Sequence, residues 1–400
     1  MSTAVAVLVV CFALNMLGRG MGDSYAVFIL PLEHEFGWPR YQLTSVYSVF
    51  LLMNGFSAPL VGILFDRIGP RLVYAAGIGL IGGAFLLASS LDHLWQFYLL
   101  IGAAVGTGVS MTGMVPASGL LSRWFRGRLS RAIGIAFAAT GVGIVVFVPL
   151  AQFLVEHYGW RHAYRALGGL LLGVAPLVLF LLPWGRFAAG RPAARPGEAP
   201  AAHGEWTLRK AMTTRIYWGM VQAFFFTALA MFSILVQLVA FLVDGGFSPL
   251  AAATAYGFCG MLSAGSVMGS GFLTDRFGSR QTVSVSFAGT MTGMALLLAL
   301  ASYPSTALLV AFVLVFGMSM GVRGPIISSI CTRHFAGPRV ATIYGTVLAS
   351  NSVGAALGSL LGGVLHDLTG GYASTLVFSI CSVALASMPF WMVPALRNYR

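Results

Sequence analysis

Apolar residues recur along this chain in runs long enough to cross a hydrocarbon core of ~30 Å as a helix. The pattern repeats at 4–30, 41–64, 71–91, 95–122, 130–154, 162–183, 214–243, 250–273, 281–301, 305–330, 338–362 and 371–394, which predicts twelve spans. Between them stand short polar breaks rich in Gly, Pro and Arg. The ten-residue alternation expected of barrel strands is absent. The first run is too long for a signal-peptide core and has no basic segment before it, so it counts as a membrane helix.

Composition agrees with the pattern. The 400 residues are 58% hydrophobic and 8% charged, where an ordinary soluble domain carries about 25% charged residues. The predicted class is an all-α membrane protein surrounded by a lipid bilayer.

A net charge of +12 would suggest nucleic acid in a soluble chain, but its placement points elsewhere. With the N-terminus inside, 18 of the 23 Lys and Arg residues fall on the cytoplasmic side. Three (Arg40, Arg161, Arg165) fall outside, and Arg19 and Arg323 lie within spans. That asymmetry is the positive-inside rule. It predicts cytoplasmic termini and leaves no case for nucleic-acid binding. The single Lys against 22 Arg suggests a GC-rich bacterial source, hence an inner-membrane location. The four cysteines (Cys11, Cys259, Cys331, Cys381) have no metal spacing and read as small hydrophobes.

Residues 184–213 interrupt the apolar rhythm with Pro, Gly, Ala and Arg and read as a flexible cytoplasmic linker. They divide the chain into six-span halves, 1–183 and 214–400. The halves echo one another. GILFDRIGPR (62–71) matches GFLTDRFGSR (271–280), and SRWF (122–125) matches TRHF (332–335). A six-plus-six repeat is the mark of a secondary transporter with its substrate site between the halves.

The doubled loop, built from Gly62, Asp66, Arg67, Gly69 and Arg71 and again from Gly271, Asp275, Arg276, Gly278 and Arg280, resembles the loop motif of the major facilitator superfamily. That resemblance implies the two-bundle fold, and a cytoplasmic latch that breaks when the carrier opens inward. GDSYAVFILPLEHEFGW (22–38), SRWFRGRLSRAIGIAFAATGVG (122–143), YGWRHAYRALGG (158–169) and YGTVLASNSVGAALGSLLGGVLHDLTGGY (344–372) are similar to segments of its monocarboxylate and oxalate–formate branch. In one respect the chain departs from that branch. The arginine usual in the eighth helix, four residues before the second loop glycine, is Val267 here, and no Arg or Lys occurs between Phe247 and Thr274.

Three formal charges lie well inside the predicted spans: Arg19, Asp23 and Arg323. An intramembrane charge costs at least ~2.5–3.5 kcal/mol on insertion scales and marks a functional site by default. Asn15, Arg19 and Asp23 are spaced to share one helix face, with Arg19 roughly 22 Å along the helix, near mid-depth. The corresponding positions of the second half are Leu229 and Ser233, so the pair belongs to one half only. Arg19 would offer a fork to a carboxylate. Asp23 would neutralise it in the empty carrier and take up a proton when the substrate arrives. A buried structural ion pair is the competing reading. Arg323, in the tenth run, is either a second anion ligand or a gate residue. Gln222, Gln237, Asn54 and Asn351 are further polar candidates, each alone more often an interhelical hydrogen bond than a ligand.

His34, His93, His157, His162 and His366 sit near outer loops and read as interfacial residues, with a zinc site or pH sensor as the alternative. No nucleophile–base arrangement, phosphate loop or cofactor motif occurs, so the chain reads as a monomeric carrier driven by a gradient and not as an enzyme. The sequence points to a small organic anion, carried by alternating access with protons. A multidrug or metabolite exporter of the same fold, with Asp23 binding cations or protons, is the alternative.

Overall fold

A computed structural model describes residues 3–125, 129–189, 206–335 and 340–397. Its twelve membrane-length helices are Thr3–Phe36, Arg40–Phe65, Arg67–Ala88, Leu94–Leu121, Ala132–Tyr158, Trp160–Phe180, Arg215–Leu235, Pro249–Ser270, Ser279–Ser302, Thr306–Cys331, Ile343–Thr369 and Ala373–Met392, referred to below as the first to twelfth spans. Each crosses as a helix because lipid cannot satisfy backbone polar groups, which must therefore bond within the helix.

Several spans are interrupted, in matching places. The first breaks at Ser24, between helices Thr3–Asp23 and Tyr25–Phe36. The seventh ends at Leu235 and resumes as Leu238–Asp244. The fourth breaks at Gly113, and the tenth at Gly321 before Arg323–His334 begins. Continuous hydropathy hides such breaks, because a helix turn can open without any polar residue. Discontinuous helices are where transporters place their ligands.

The two loop motifs also match in backbone. Gly69 has φ 81° and Gly278 has φ 83°. A side chain would clash with the backbone at such angles, so both loops demand glycine there. Asp66, Gly271 and Asp275 lie outside the residues whose side chains are described.

The segment expected to be a flexible linker begins with order. Trp184–Ala189 is helical, with Trp184 and Phe187 buried. Arg123 donates to the Ala188 carbonyl at 3.1 Å and the Trp124 indole to the Phe187 carbonyl at 2.8 Å. Two aromatic residues spaced three apart give this short helix a face to bury. A second short helix, Leu208–Met212, leads into the seventh span.

Between the halves, the second span packs on the eleventh and the fifth on the eighth. Within the second half the eleventh span lies directly on the seventh. Gly354, Gly358 and Gly362 face it one turn apart. A Cβ at Gly358 would stand 2.3 Å from the Leu229 carbonyl oxygen, which belongs to backbone and cannot swing aside. Gly358→Val should therefore cost about 3 kcal/mol, the upper end for overpacking. Gly265→Ala, with open space around it, should be neutral or mildly stabilising. Melting temperatures of the two purified variants check this, and equal values would refute the close approach.

Candidate functional site

The break at Ser24 places three side chains together. Arg19 Nε donates to Asp23 Oδ2 at 3.0 Å, and the Tyr47 hydroxyl of the second span donates to Asp23 Oδ1 at 2.5 Å. Asp23 is 3% exposed, whereas Arg19 keeps 20%. Arg19 lies 5.8 Å from the Phe50 ring centroid. From the other half, Tyr256 of the eighth span is an electrostatic neighbour of both charges, and Phe232 of the seventh stacks on Tyr47 at 6.4 Å. The charge pair thus sits where the halves meet. Both oxygens of the carboxylate are in use, so a proton arriving on Asp23 would have to disturb one of these bonds.

Arg323 is placed differently. It opens the second piece of the tenth span and is 1% exposed, inside the second bundle. Nη2 donates to Thr290 Oγ1 at 2.9 Å and approaches Met231 Sδ at 3.4 Å, and the guanidinium lies 4.9 Å from the Phe287 centroid. Nε and Nη1 have no hydrogen-bond partner among the described residues. An indirect link joins the two arginines, since Met231 adjoins Phe232 in the chain and Phe232 touches Tyr47.

The other candidates tie helices together. Asn15 donates to the Ala136 carbonyl at 2.7 Å and Asn54 to that of Gly106 at 3.4 Å. Asn351 reaches the Phe224 carbonyl at 3.5 Å, and Gln222 the Leu385 carbonyl at 3.0 Å. Gln237 lies in the break after the seventh span and donates to the Ser233 carbonyl at 3.1 Å, with its Oε1 left without a partner among the described residues. Asn15 thus shares Arg19's face but is engaged with the fifth span. Of the motif arginines, Arg71 bonds the Leu179 carbonyl at 2.8 Å, Arg276 lies 5.5 Å from the Phe277 centroid, and Arg280 stacks 3.9 Å from the Trp391 centroid. Arg67 is exposed, and Gly62 has room for a methyl against Val115.

A further cluster joins the halves at the end opposite the linker. Arg40 donates to Glu33 at 2.6 Å within its own half, and to Asp244 at 3.0 Å and to Tyr372 in the other. Tyr372 in turn donates to Asp244 at 2.9 Å. Burial, more than any neighbouring charge, holds the Tyr372 phenol above its ordinary pKa, so it stays a donor. Beside it the Tyr41 amide donates to Asp367 at 2.8 Å, and the Ser359 hydroxyl to the Thr44 carbonyl at 2.8 Å. Sequence reasoning passed over Arg40, Tyr47, Thr290 and Tyr372. Arg40 alone carried a signal, as one of only three basic residues on its side. No group of three metal-ligating side chains occurs among the described residues.

Twelve spans in two echoing halves, with charges buried beside helix breaks, define a multi-pass membrane transporter. The chain belongs to the major facilitator superfamily, whose family model matches residues 8–347 and 264–399. Among curated relatives it is 30% identical to monocarboxylate transporter 13 of Rattus norvegicus over 93% of this chain and 84% of that one. It is 28% identical to monocarboxylate transporter 3 of the same species over 96% and 78%. Monocarboxylate transporter 11 of Mus musculus is also 28% identical, over 95% and 84%. In fold it is similar to a bacterial homolog of the human lysosomal transporter Spinster, solved inward-facing. The TM-score is 0.71 for the unoccupied form, at 15% identity and 97% coverage of both chains. For the occupied form it is 0.74, at 15% identity, over 99% of this chain and 97% of that one.

Proposed function

We propose that the protein is a proton-coupled carrier of a small monocarboxylate-like anion, working by alternating access between its two bundles. The observation that carries this reading is the Arg19–Asp23–Tyr47 cluster at the interface of the halves. Arg19 is neutralised while the site is empty. A proton on Asp23 would release its fork to a carboxylate, and the two would cross together. Two arginines against one acid within the spans, Arg19 and Arg323 against Asp23, favour an anion over a cation. The kinship with monocarboxylate transporters supports the same class. A cation exporter would need Asp23 free, and here both its oxygens are engaged.

The far-end cluster of Arg40 supports an inward-open state, with the basic linker end at the cytoplasm of a bacterial inner membrane and the loop motifs latching the opposite state. Asn15, Asn54, Asn351, Gln222 and Gln237 would set helix spacing around the path, and the chain would act as a monomer.

Proteoliposome uptake tests the proposal. Radiolabelled lactate or pyruvate should accumulate when the outside is acidified, and collapse when an uncoupler removes the proton gradient. Accumulation that ignores the gradient would remove the coupling. Uptake of lipophilic cations with no carboxylate uptake would replace the substrate class.

A further inference from the structure

Among the described residues, the second bundle contains a charge with no counterpart. Arg323 is buried at 1% exposure, and its walls are Met231, Thr290 and Phe287. The hydroxyl of Thr290 is already spent on the Ser286 carbonyl at 3.0 Å, so it gives Arg323 a lone pair and no charge. Nε and Nη1 point at no acceptor among the described residues. Arg323 also opens a helix of 12 residues, Arg323–His334, whose positive end adds to the guanidinium charge instead of relieving it. A guanidinium in such surroundings is costly unless an anion joins it, and apolar replacements of buried ions often stabilise. Arg19, by comparison, has its acid at 3.0 Å.

We infer that Arg323 and Thr290 form a monoanion site inside the second bundle, separate from the Arg19–Asp23 pair. The weakest contact of the guanidinium is the Met231 sulfur at 3.4 Å. A compact anion displacing that thioether would take Nη2 and one of the free nitrogens as a two-pronged donor. Met231 is unbranched and can swing aside. Its chain neighbour Phe232 stacks on Tyr47 at the interface of the halves. One uncompensated positive charge calls for one negative charge. The head of a monocarboxylate and a chloride ion share that chemistry. Occupancy by the transported solute rests on the carrier reading above, whereas the site itself stands on its own geometry.

The test is thermal unfolding of the detergent-purified protein in Tris–HEPES buffer, titrated separately with sodium lactate, sodium benzoate and sodium chloride. Arg323→Met, Arg323→Lys, Thr290→Val and Arg19→Gln are run in parallel. The parent should be stabilised by at least one of the three anions, and which one tells solute from halide. Arg323→Met should melt higher than the parent without added anion and lose the part of the anion response that Arg19→Gln keeps. Arg323→Lys and Thr290→Val should weaken the apparent affinity about thirtyfold and severalfold, the first equivalent to about 2 kcal/mol. Arg19→Gln should keep the part of the response that Arg323→Met removes. An anion shift that survives undiminished in Arg323→Met, or disappears only in Arg19→Gln, overturns the site. So does a parent that responds to none of the anions, and proteoliposome uptake of lactate would then show that the carrier reading stands without it.

Discussion

Asp23→Asn should abolish proton-driven accumulation while leaving exchange of carboxylate across the membrane largely intact. The carboxylate holds Arg19 at 3.0 Å and accepts from Tyr47 at 2.5 Å, at 3% exposure. An amide at that position keeps the size but cannot carry a proton or balance a guanidinium. Breaking a buried ion pair from one side costs ~3–5 kcal/mol. Because Arg19 retains 20% exposure, water screens part of the loss, and about 3 kcal/mol of stability is expected. If the proton must ride on Asp23, pH-driven uptake falls at least roughly tenfold, the consequence of only ~1.4 kcal/mol in the barrier. Counterflow from preloaded vesicles, which needs no net proton movement, changes far less. Asp23→Glu should restore part of the driven uptake. Full pH-driven accumulation in Asp23→Asn would leave the pair with a structural role only.

Arg40→Ala should tip the molecule toward the state open at the end opposite the linker. One guanidinium there reaches Glu33 in its own half and Asp244 and Tyr372 in the other, so its removal takes away the charge that joins the halves. Hydrogen bonds to charged groups contribute ~1.5–3 kcal/mol each when buried. Asp244 is 42% exposed, which discounts its share. A net loss of about 2 kcal/mol, some thirtyfold in the conformational ratio, is expected. A cysteine placed at Ser359, fully buried here against Thr44, reports it in a background free of the native cysteines. Labelling from the far side should accelerate in Arg40→Ala and slow again with Arg40→Lys. An unchanged rate would show that backbone packing, not this arginine, closes that end.

How much of this was legible beforehand follows from the range of each interaction. Asn15, Arg19 and Asp23 fell on one face because helical spacing is local, and the Arg19–Asp23 bond is an i,i+4 contact within one helix. Gly69 and Gly278 could be paired from the repeat alone, and both have the left-handed backbone that requires glycine. Tyr47 and Thr290 were illegible, because a phenol in the second span and a hydroxyl in the ninth become partners of a charge only when separate helices meet. The same holds for Asn15, whose amide is engaged by the fifth span. The helix breaks at Ser24, Gly113 and Gly321 were hidden because the spans that contain them keep the mean hydropathy of a continuous membrane helix.

The sequence by itself determined the twelve crossings, the two echoing halves, the motif loops and the three intramembrane charges. Bilayer thickness and the cost of burying a charge act on each residue alone or on its near neighbours. Only the tertiary structure decided that Arg323 has no acid beside it among the described residues, and that Arg40 bridges the halves. Those outcomes depend on which distant side chains share a low-dielectric space, where a partner within about 3 Å separates a neutral pair from an unanswered charge.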